Sequence, residues 1–259
     1  SSMLLNSEAS LKFTKENMKM LKRVDKNLLK RVMGAPKSTP IPALYLETGS
    51  VPVPYIIKGR RLLYLHYLLN QPQDTLLYKM LHDQIENPIK NDWLSVVQEN
   101  LIELGLDHYS LNDIKSMKKY KFKKLVRVSC QDVAFKDLKN SIKDKNLKKL
   151  KNLTYNKLEM QNYLTSSKLS ISLKKIIFKA RTGMLPVGFN FGQKKTCFAC
   201  EMSDDTDRHL LECVILKMSC PDIMENIESS FDDIYSSDME KVYKISKLLR
   251  SPLRARELL

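Results

Sequence analysis

Near the end of a 259-residue chain, three thiols and an imidazole stand at metal-ligand spacing. Cys197 and Cys200 flank Phe198 and Ala199; after eight intervening residues, His209 and Cys213 stand four positions apart. On a helix, residues four apart share a face and can close on one ion. Zn²⁺ prefers four tetrahedral S and N ligands, and a Cys3His set leaves no position open for substrate, so the spacing predicts one structural zinc ion. The neighbourhood agrees: Asp204, Asp205, Thr206 and Asp207 offer N-caps for a short helix over Arg208–Cys213. The competing explanation is chance clustering of cysteines acting as small hydrophobes. Cys220, seven residues past Cys213, is the rival ligand, and Cys130 reads as a buried free thiol.

A second set of residues suits phosphate. The net charge is +15, unevenly spread: residues 1–200 hold 36 Lys and Arg against 16 Asp and Glu, whereas 201–259 hold 8 against 13. Between Lys115 and Lys151 there are 14 basic side chains and only three acids, Asp132, Asp137 and Asp144. Such asymmetry points to a polyanion, most simply RNA or DNA, and lysine in place of arginine suits phosphate contact better than base reading. The expected track is Lys115, Lys118, Lys119, Lys121, Lys123, Lys124 and Arg127. Lys174, Lys175, Lys179 and Arg181 form a second strip, and Lys194 and Lys195 extend it at the finger's edge. The alternative is a lysine-rich face that only keeps the protein in solution. The acidic stretch after Cys213 is expected to face away from phosphate.

The elements that position these groups read as helices throughout. Thr14 caps a helix over Lys15–Met33 that Gly34 stops, with Met18, Leu21, Leu28 and Val32 at helical spacing. A short helix through Leu44 and Leu46 ends at Gly49, and Pro54 opens a long, largely apolar one over 55–70, with Lys58, Arg60 and Arg61 as its polar part. Its aromatic stripe, Tyr64, His66 and Tyr67, suits packing better than base stacking. Asp74 caps one more helix and Asn91 or Asp92 another, with Trp93 as a packing anchor. Ser110 with Asp113 forms a capping box before the lysine-rich helical stretch. Residues 144–163 read as a mobile connection, and Ser170 or Ser172 starts the helix carrying the second strip. An acidic helix over 223–234 and a last one from Asp238 to about Arg250 follow. No run alternates with period two over six residues. The expected fold is all-α: a helical body (1–143), a basic linker and helix (144–190), a zinc module (191–220) and an acidic helical tail (221–259). No apolar run approaches the ~20 residues that span a bilayer. Five cysteines without a signal-peptide pattern suit a reducing compartment, nucleus or cytoplasm.

The order of motifs resembles the region that follows the polymerase domain in non-LTR (LINE-type) retrotransposon reverse transcriptases. The resemblance is carried by Leu28 to Pro40, Ala43 to Gly49, Arg60 to His66 and the pair Asp92-Trp93. It continues through Arg181 to Asn190 and the acid-Thr-acid-x-His core within Asp205–Cys213. It implies a thumb-end helical segment followed by a Cys-Cys-His-Cys finger, holding template RNA, target DNA or their hybrid for target-primed reverse transcription beside a polymerase on the upstream chain. Catalysis itself is not implied for this chain. Polymerase carboxylates hold two metal ions, and the aromatic-x-Asp-Asp pattern they occupy is missing: at Ser230-Phe231-Asp232-Asp233 a serine takes the aromatic position. Pro221-Asp222 is not followed by the acidic-x-Lys triplet of a nuclease. The alternative function is a host-adopted module in which the helices and finger bind a protein, with the long apolar helix and the acidic tail as its surfaces.

Overall fold

The computed structural model describes residues 14–90, 92–144, 150, 153, 155–192, 196–219 and 230–257. They are mostly helical and contain no strand, only isolated antiparallel bridges joining Thr48 to Met160 and Thr196 to Asp204. The chain divides into two compact units, residues 1–26 with 50–140 and residues 27–49 with 141–259. This division cuts across the four sequence segments, because the metal module and the tail belong to one unit with 27–49. Helix α1 (Lys15–Met33) begins where Thr14 caps it, its hydroxyl accepting the Asn17 N–H at 3.2 Å. Its apolar spacing misleads in part: Met33 is buried, while Leu28 and Val32 are exposed.

The first unit is built around α3 (Val53–Leu69), which Pro52 and Pro54 start and whose Ile57, Leu62 and Leu65 are fully buried. Against it lie α4 (Leu76–Glu86), α5 (Trp93–Glu103) and α6 (Leu111–Ser116). Thr75, not Asp74, caps α4; Asp92 caps α5 and the Ser110–Asp113 box caps α6. Arg61, expected on the polar side of α3, is buried. The lysine-rich stretch is not one helix: the chain extends at Met117 before α7 (Lys119–Asp144) begins. Along α7 the buried residues are Phe122, Val126, Cys130, Ala134, Leu138 and Ile142, a strict four-residue repeat. At 3.6 residues per turn that line rotates by about 40° per step, winding around the helix and leaving no fixed apolar face. Gly59 on α3 allows the close approach, since a Cβ there would stand 3.0 Å from the Cys130 sulfur and 3.2 Å from Val126. Cys130 is the expected buried thiol: its S–H donates to the Tyr55 carbonyl at 3.3 Å, and burial pushes its pKa to about 11.

In the second unit, α2 (Ile41–Thr48) is buried almost throughout. It packs in one apolar cluster with α8 (Asn162–Thr165), α9 (Ile171–Thr182) and α12 (Met239–Glu257), centred on Ile177, Phe178, Leu185, Ile245 and Leu249. The expected mobile connection contributes to the core: Leu150, Leu153, Tyr155, Leu158 and Tyr163 are buried, while Asn156, Lys157, Glu159 and Met160 are exposed. Gly49 lets this segment in. It holds φ +65°, and a Cβ on it would meet the Met160 backbone nitrogen at 2.1 Å, so no other residue fits. The approach brings Tyr155 to Glu47, whose fully buried carboxylate accepts the Tyr155 hydroxyl at 2.5 Å and the Arg181 Nε–H at 3.1 Å on both oxygens. Arg181 Nη1 donates in turn to the Ile234 carbonyl at 3.2 Å.

Burial works against the Arg181 charge, but the Glu47 carboxylate overrides it and raises the guanidinium pKa. Burial and the same carboxylate push the Tyr155 hydroxyl well above its ordinary range. Glu47→Ala leaves the Arg181 charge buried without its counter-ion, so it is expected to destabilise this unit by about 3–5 kcal/mol in urea unfolding. A Glu47→Met/Arg181→Met double variant, which buries no charge, recovers most of that loss.

Candidate metal centre and basic surfaces

The four ligand candidates converge because each arm of the site is locally determined. Between Cys197 and Cys200 the chain makes a turn closed by the Glu201 N–H on the Cys197 carbonyl at 2.9 Å. Glu201 then adopts φ +57°, the one positive φ of a non-glycine residue among those described. The backbone N–H groups of Met202 and Ser203, Met202 first, with the His209 ring 3.3 Å from the sulfur, lower the Cys200 pKa to about 6. Burial pushes the Cys197 thiol up, against N–H bonds from Cys200 and Ala199. On the other arm the Thr206 hydroxyl, one of four caps the sequence offers, accepts the His209 N–H at 3.2 Å at the start of helix α10 (His209–Glu212), which α11 (Val214–Ser219) follows. The Cys213 N–H bonds the His209 carbonyl at 2.8 Å, which stacks the two ligands on one face.

All four ligand atoms lie within 4.8 Å of one another. The Cys197 and Cys213 sulfurs are 3.8 Å apart, and the Cys200 sulfur is 3.3 Å from His209 Nε2. A tetrahedral ion with bonds of about 2.3 Å to sulfur and about 2.0 Å to nitrogen needs ligand separations of about 3.5–3.8 Å. The two separations given, 3.8 and 3.3 Å, lie near that range, so the group could hold one metal ion, with four protein donors and no position left open. Cys220 lies outside the described residues.

The module is packed into the core of its unit. Cys197, Leu210, Leu211 and Cys213 are part of the apolar cluster that includes Phe178 and Leu249. It is also tied by charge. The buried Asp205 carboxylate accepts both Arg256 Nη groups, at 2.6 and 2.5 Å, and the Gly188 N–H at 2.6 Å. Burial alone would raise the Asp205 pKa, but Arg256 and Gly188 hold it below the ordinary carboxylate range. Asp207 accepts the Asn190 amide at 2.6 Å, Arg208 pairs with Asp232 at 2.7 Å, and the Arg256 guanidinium lies 5.0 Å over the Phe198 ring. Sequence reading missed Arg256 and Asn190 as supports, since nothing in their local pattern marks them.

Of the expected phosphate track, Lys115, Lys118, Lys119, Lys121, Lys123, Lys124 and Arg127 are all exposed, in the first unit. Lys119, Lys123 and Arg127 follow one another at four-residue spacing along α7. The second strip, on α9 of the other unit, is largely structural. Arg181 is the buried partner of Glu47 and is not available to phosphate. Lys174 donates to the Leu164 carbonyl at 2.8 Å, the Lys175 stem lies against Gly34, and Lys179 is half-buried. Lys194 and Lys195 lie outside the described residues, as does most of the expected acidic helix over 223–234. What is described of it is a 3-10 turn, Phe231–Tyr235, closed by a Ser230–Asp233 capping box. The last helix is not acidic, for α12 carries Lys241, Lys244, Lys247, Arg250, Arg254 and Arg256 against Glu240 and Glu257. In comparisons with known proteins, no family model, curated protein or solved structure matches the chain.

Metal quantification is expected to give one ion per chain, lost in both Cys197→Ser and Cys213→Ser. Because these sulfurs sit in a core cluster, chelation is expected to lower amide-exchange protection on α9 and α12 as well as around the ligands. The segment 53–69 keeps its protection. Arg256→Ala, which leaves the Asp205 charge buried without its main partner, is expected to destabilise the same unit by about 2–3 kcal/mol in urea unfolding. Since the Asp205 pKa is depressed in the folded state, the stabilisation it gives the wild type is present at neutral pH. It disappears as pH falls through that lowered value.

Proposed function

We propose that this chain is a non-catalytic, nucleic-acid-binding region of a LINE-type reverse transcriptase. In this reading it holds template RNA or target DNA for target-primed reverse transcription, and its Cys3His centre carries structural Zn²⁺. The observation that carries the proposal is the run of seven exposed cations from Lys115 to Arg127, with no carboxylate of the described residues in an ion pair with any of them. Two further facts support it. Glu47 and Arg181 come from separate segments that carry the resemblance, and they meet in one buried pair. The Asp232-Asp233 pair has structural employment, Asp232 on Arg208 and Asp233 in the capping box, rather than lying open to hold catalytic metal ions. Zinc is favoured over other ions by the donor set itself, three thiolates and an imidazole that can fill all four positions of a tetrahedral ion.

A protein-binding module is the second reading, and one observation favours it. Tyr64, Leu68, Leu77, Met80, Leu81 and Trp93 line an apolar slot of about 160 Å³, beside the exposed Leu76.

The two readings part on salt. If the lysine run engages ~5 phosphates, log K for a duplex falls with log salt at a slope of about −4 to −5. Replacing Lys118, Lys119, Lys123 and Lys124 by glutamine is expected to flatten that slope by about 3 to 4 and to weaken all sequences alike. Unchanged affinity and slope in a folded variant would leave the run as a solvated face and favour the protein-binding reading.

A further inference from the structure

The lysine run does not lie on a plain convex surface. Where α6 ends and α7 begins, the chain folds against the C-terminal end of α3 and encloses a groove of about 540 Å³, within the size range of pockets that hold a small organic group. Two contacts fix its shape. His66 Nε2 lies 2.9 Å from the Met117 carbonyl, at the break between α6 and α7, and the His66 ring stacks on Phe122 at 5.2 Å. The Asn70 amide donates to the His66 carbonyl at 2.9 Å and reaches the Lys115 carbonyl at 3.4 Å. Lys115, Lys118, Lys119 and Lys123 all line the groove. Lys115 is steadied by the Tyr78 ring, 5.7 Å from its ammonium.

The same groove is lined by Tyr67, an aromatic side chain that is 49% exposed. This ring is the outer end of a row. Trp93 meets Tyr64 edge-on with centroids 5.7 Å apart, and Tyr64 stacks on Tyr67 at 5.9 Å with planes inclined by 18°. A core-packing role accounts for Trp93 and Tyr64, which are partly buried against the apolar cluster of this unit. It does not account for Tyr67, whose exposed ring borders the same groove as four lysines.

From this juxtaposition we propose that the groove between the end of α3 and the start of α7 binds single-stranded nucleic acid, with one unstacked base placed on Tyr67 and the flanking phosphates on Lys118, Lys119 and Lys123. The inference rests on the nucleic-acid reading above and makes it narrower. Lysines alone would serve a duplex equally well, because both forms offer phosphates. A ring face is useful only to a base that has left its stack, and bases in single strands are available in that way. Base–aromatic stacking is also tolerant of sequence, which suits a site otherwise built of lysines. The aromatic row holds Tyr67 in place, so binding a base costs little side-chain ordering.

Fluorescence anisotropy on the full chain separates the possibilities, using 12-nucleotide uridine and deoxythymidine strands, the same strands with abasic sites, and a 12-base-pair duplex. Single strands are expected to bind wild type more tightly than their abasic counterparts. Tyr67→Ala is expected to lose about 5- to 100-fold in affinity for normal strands, with the salt slope, the abasic affinity and the duplex affinity unchanged. Tyr67→Phe, which keeps the ring, is expected to retain wild-type affinity. Equal binding of normal and abasic strands by wild type would overturn the stacking site whatever the variants do, and so would a Tyr67→Ala loss shared by the duplex. Either result leaves the phosphate reading standing if the salt slope persists. If no polynucleotide binds at all, both fall. Comparing the uridine and deoxythymidine strands decides whether the site is served by RNA or by DNA.

Discussion

The second unit is organised around one buried carboxylate. Glu47 is fully enclosed, and taking a carboxylate out of water costs several kcal/mol unless its lone pairs are occupied. Arg181 and Tyr155 occupy them, and each arrives from a different part of the chain: Arg181 from α9, Tyr155 from the segment that passes Gly49. Arg181 then uses a second nitrogen on the Ile234 carbonyl, fixing the 3-10 turn from Phe231 to Tyr235. Asp232 of that turn pairs with Arg208, the residue immediately before the candidate ligand His209. Polar contacts joined by short stretches of backbone thus lead from Glu47 to the candidate metal site. Such a cluster adds little net stability over an apolar core, but it admits one arrangement of the chain and penalises others.

Much of this was legible in sequence where the governing physics is local. Thr14 and Ser110 cap the helices their positions announce, and of the pairs Asn91/Asp92 and Ser170/Ser172 it is Asp92 and Ser170 that cap, because capping involves residues two or three apart. The Cys-Cys-His-Cys set converges because its spacing is itself the geometric requirement. What stayed hidden depends on distant partners. Arg181 reads as an outward lysine-strip companion because nothing nearby shows that Glu47, 134 residues earlier, will neutralise it. Arg256 and Asp205 stand 51 residues apart. Tyr155 and Leu158 lie in a polar, lysine-rich stretch whose average conceals them, yet they are core residues.

Helix α7 was legible in another way. Phe122, Val126, Ala134, Leu138 and Ile142 read from the sequence as its buried side, and they are buried, at a four-residue repeat that winds around the helix. The cost of that regularity falls on the partner helix. A winding line of contact requires close approach at some point, and Gly59 supplies it by having no Cβ to collide with Cys130 and Val126. Phe122 begins the buried line and also stacks on His66, the residue that holds the α6–α7 break. The packing of α7 and the shape of the lysine-lined groove therefore have one origin. The groove follows from how the helix must start, rather than from the lysines that happen to border it.

Charge counted along the chain also means less than it first suggests. The excess of acids after residue 200 reads as a surface that phosphate would avoid, but in the folded chain several of those acids are committed. Asp205 is on Arg256, Asp207 on Asn190 and Asp232 on Arg208, while Asp233 closes a capping box. Each braces the metal module or the turn beside it, and an acid neutralised by an adjacent cation presents little field at a distance. The α12 helix meanwhile carries six basic side chains against two acidic ones. On α9 the correction runs the other way: Arg181 is neutralised by Glu47 and the Lys174 ammonium is held at a carbonyl, so a segment that looks strongly basic offers fewer free cations than its sequence suggests. Net charge per segment predicts a binding surface only after the charges that fold the protein have been set aside. In this chain the residues that survive that subtraction most completely are the lysines from Lys118 to Lys124.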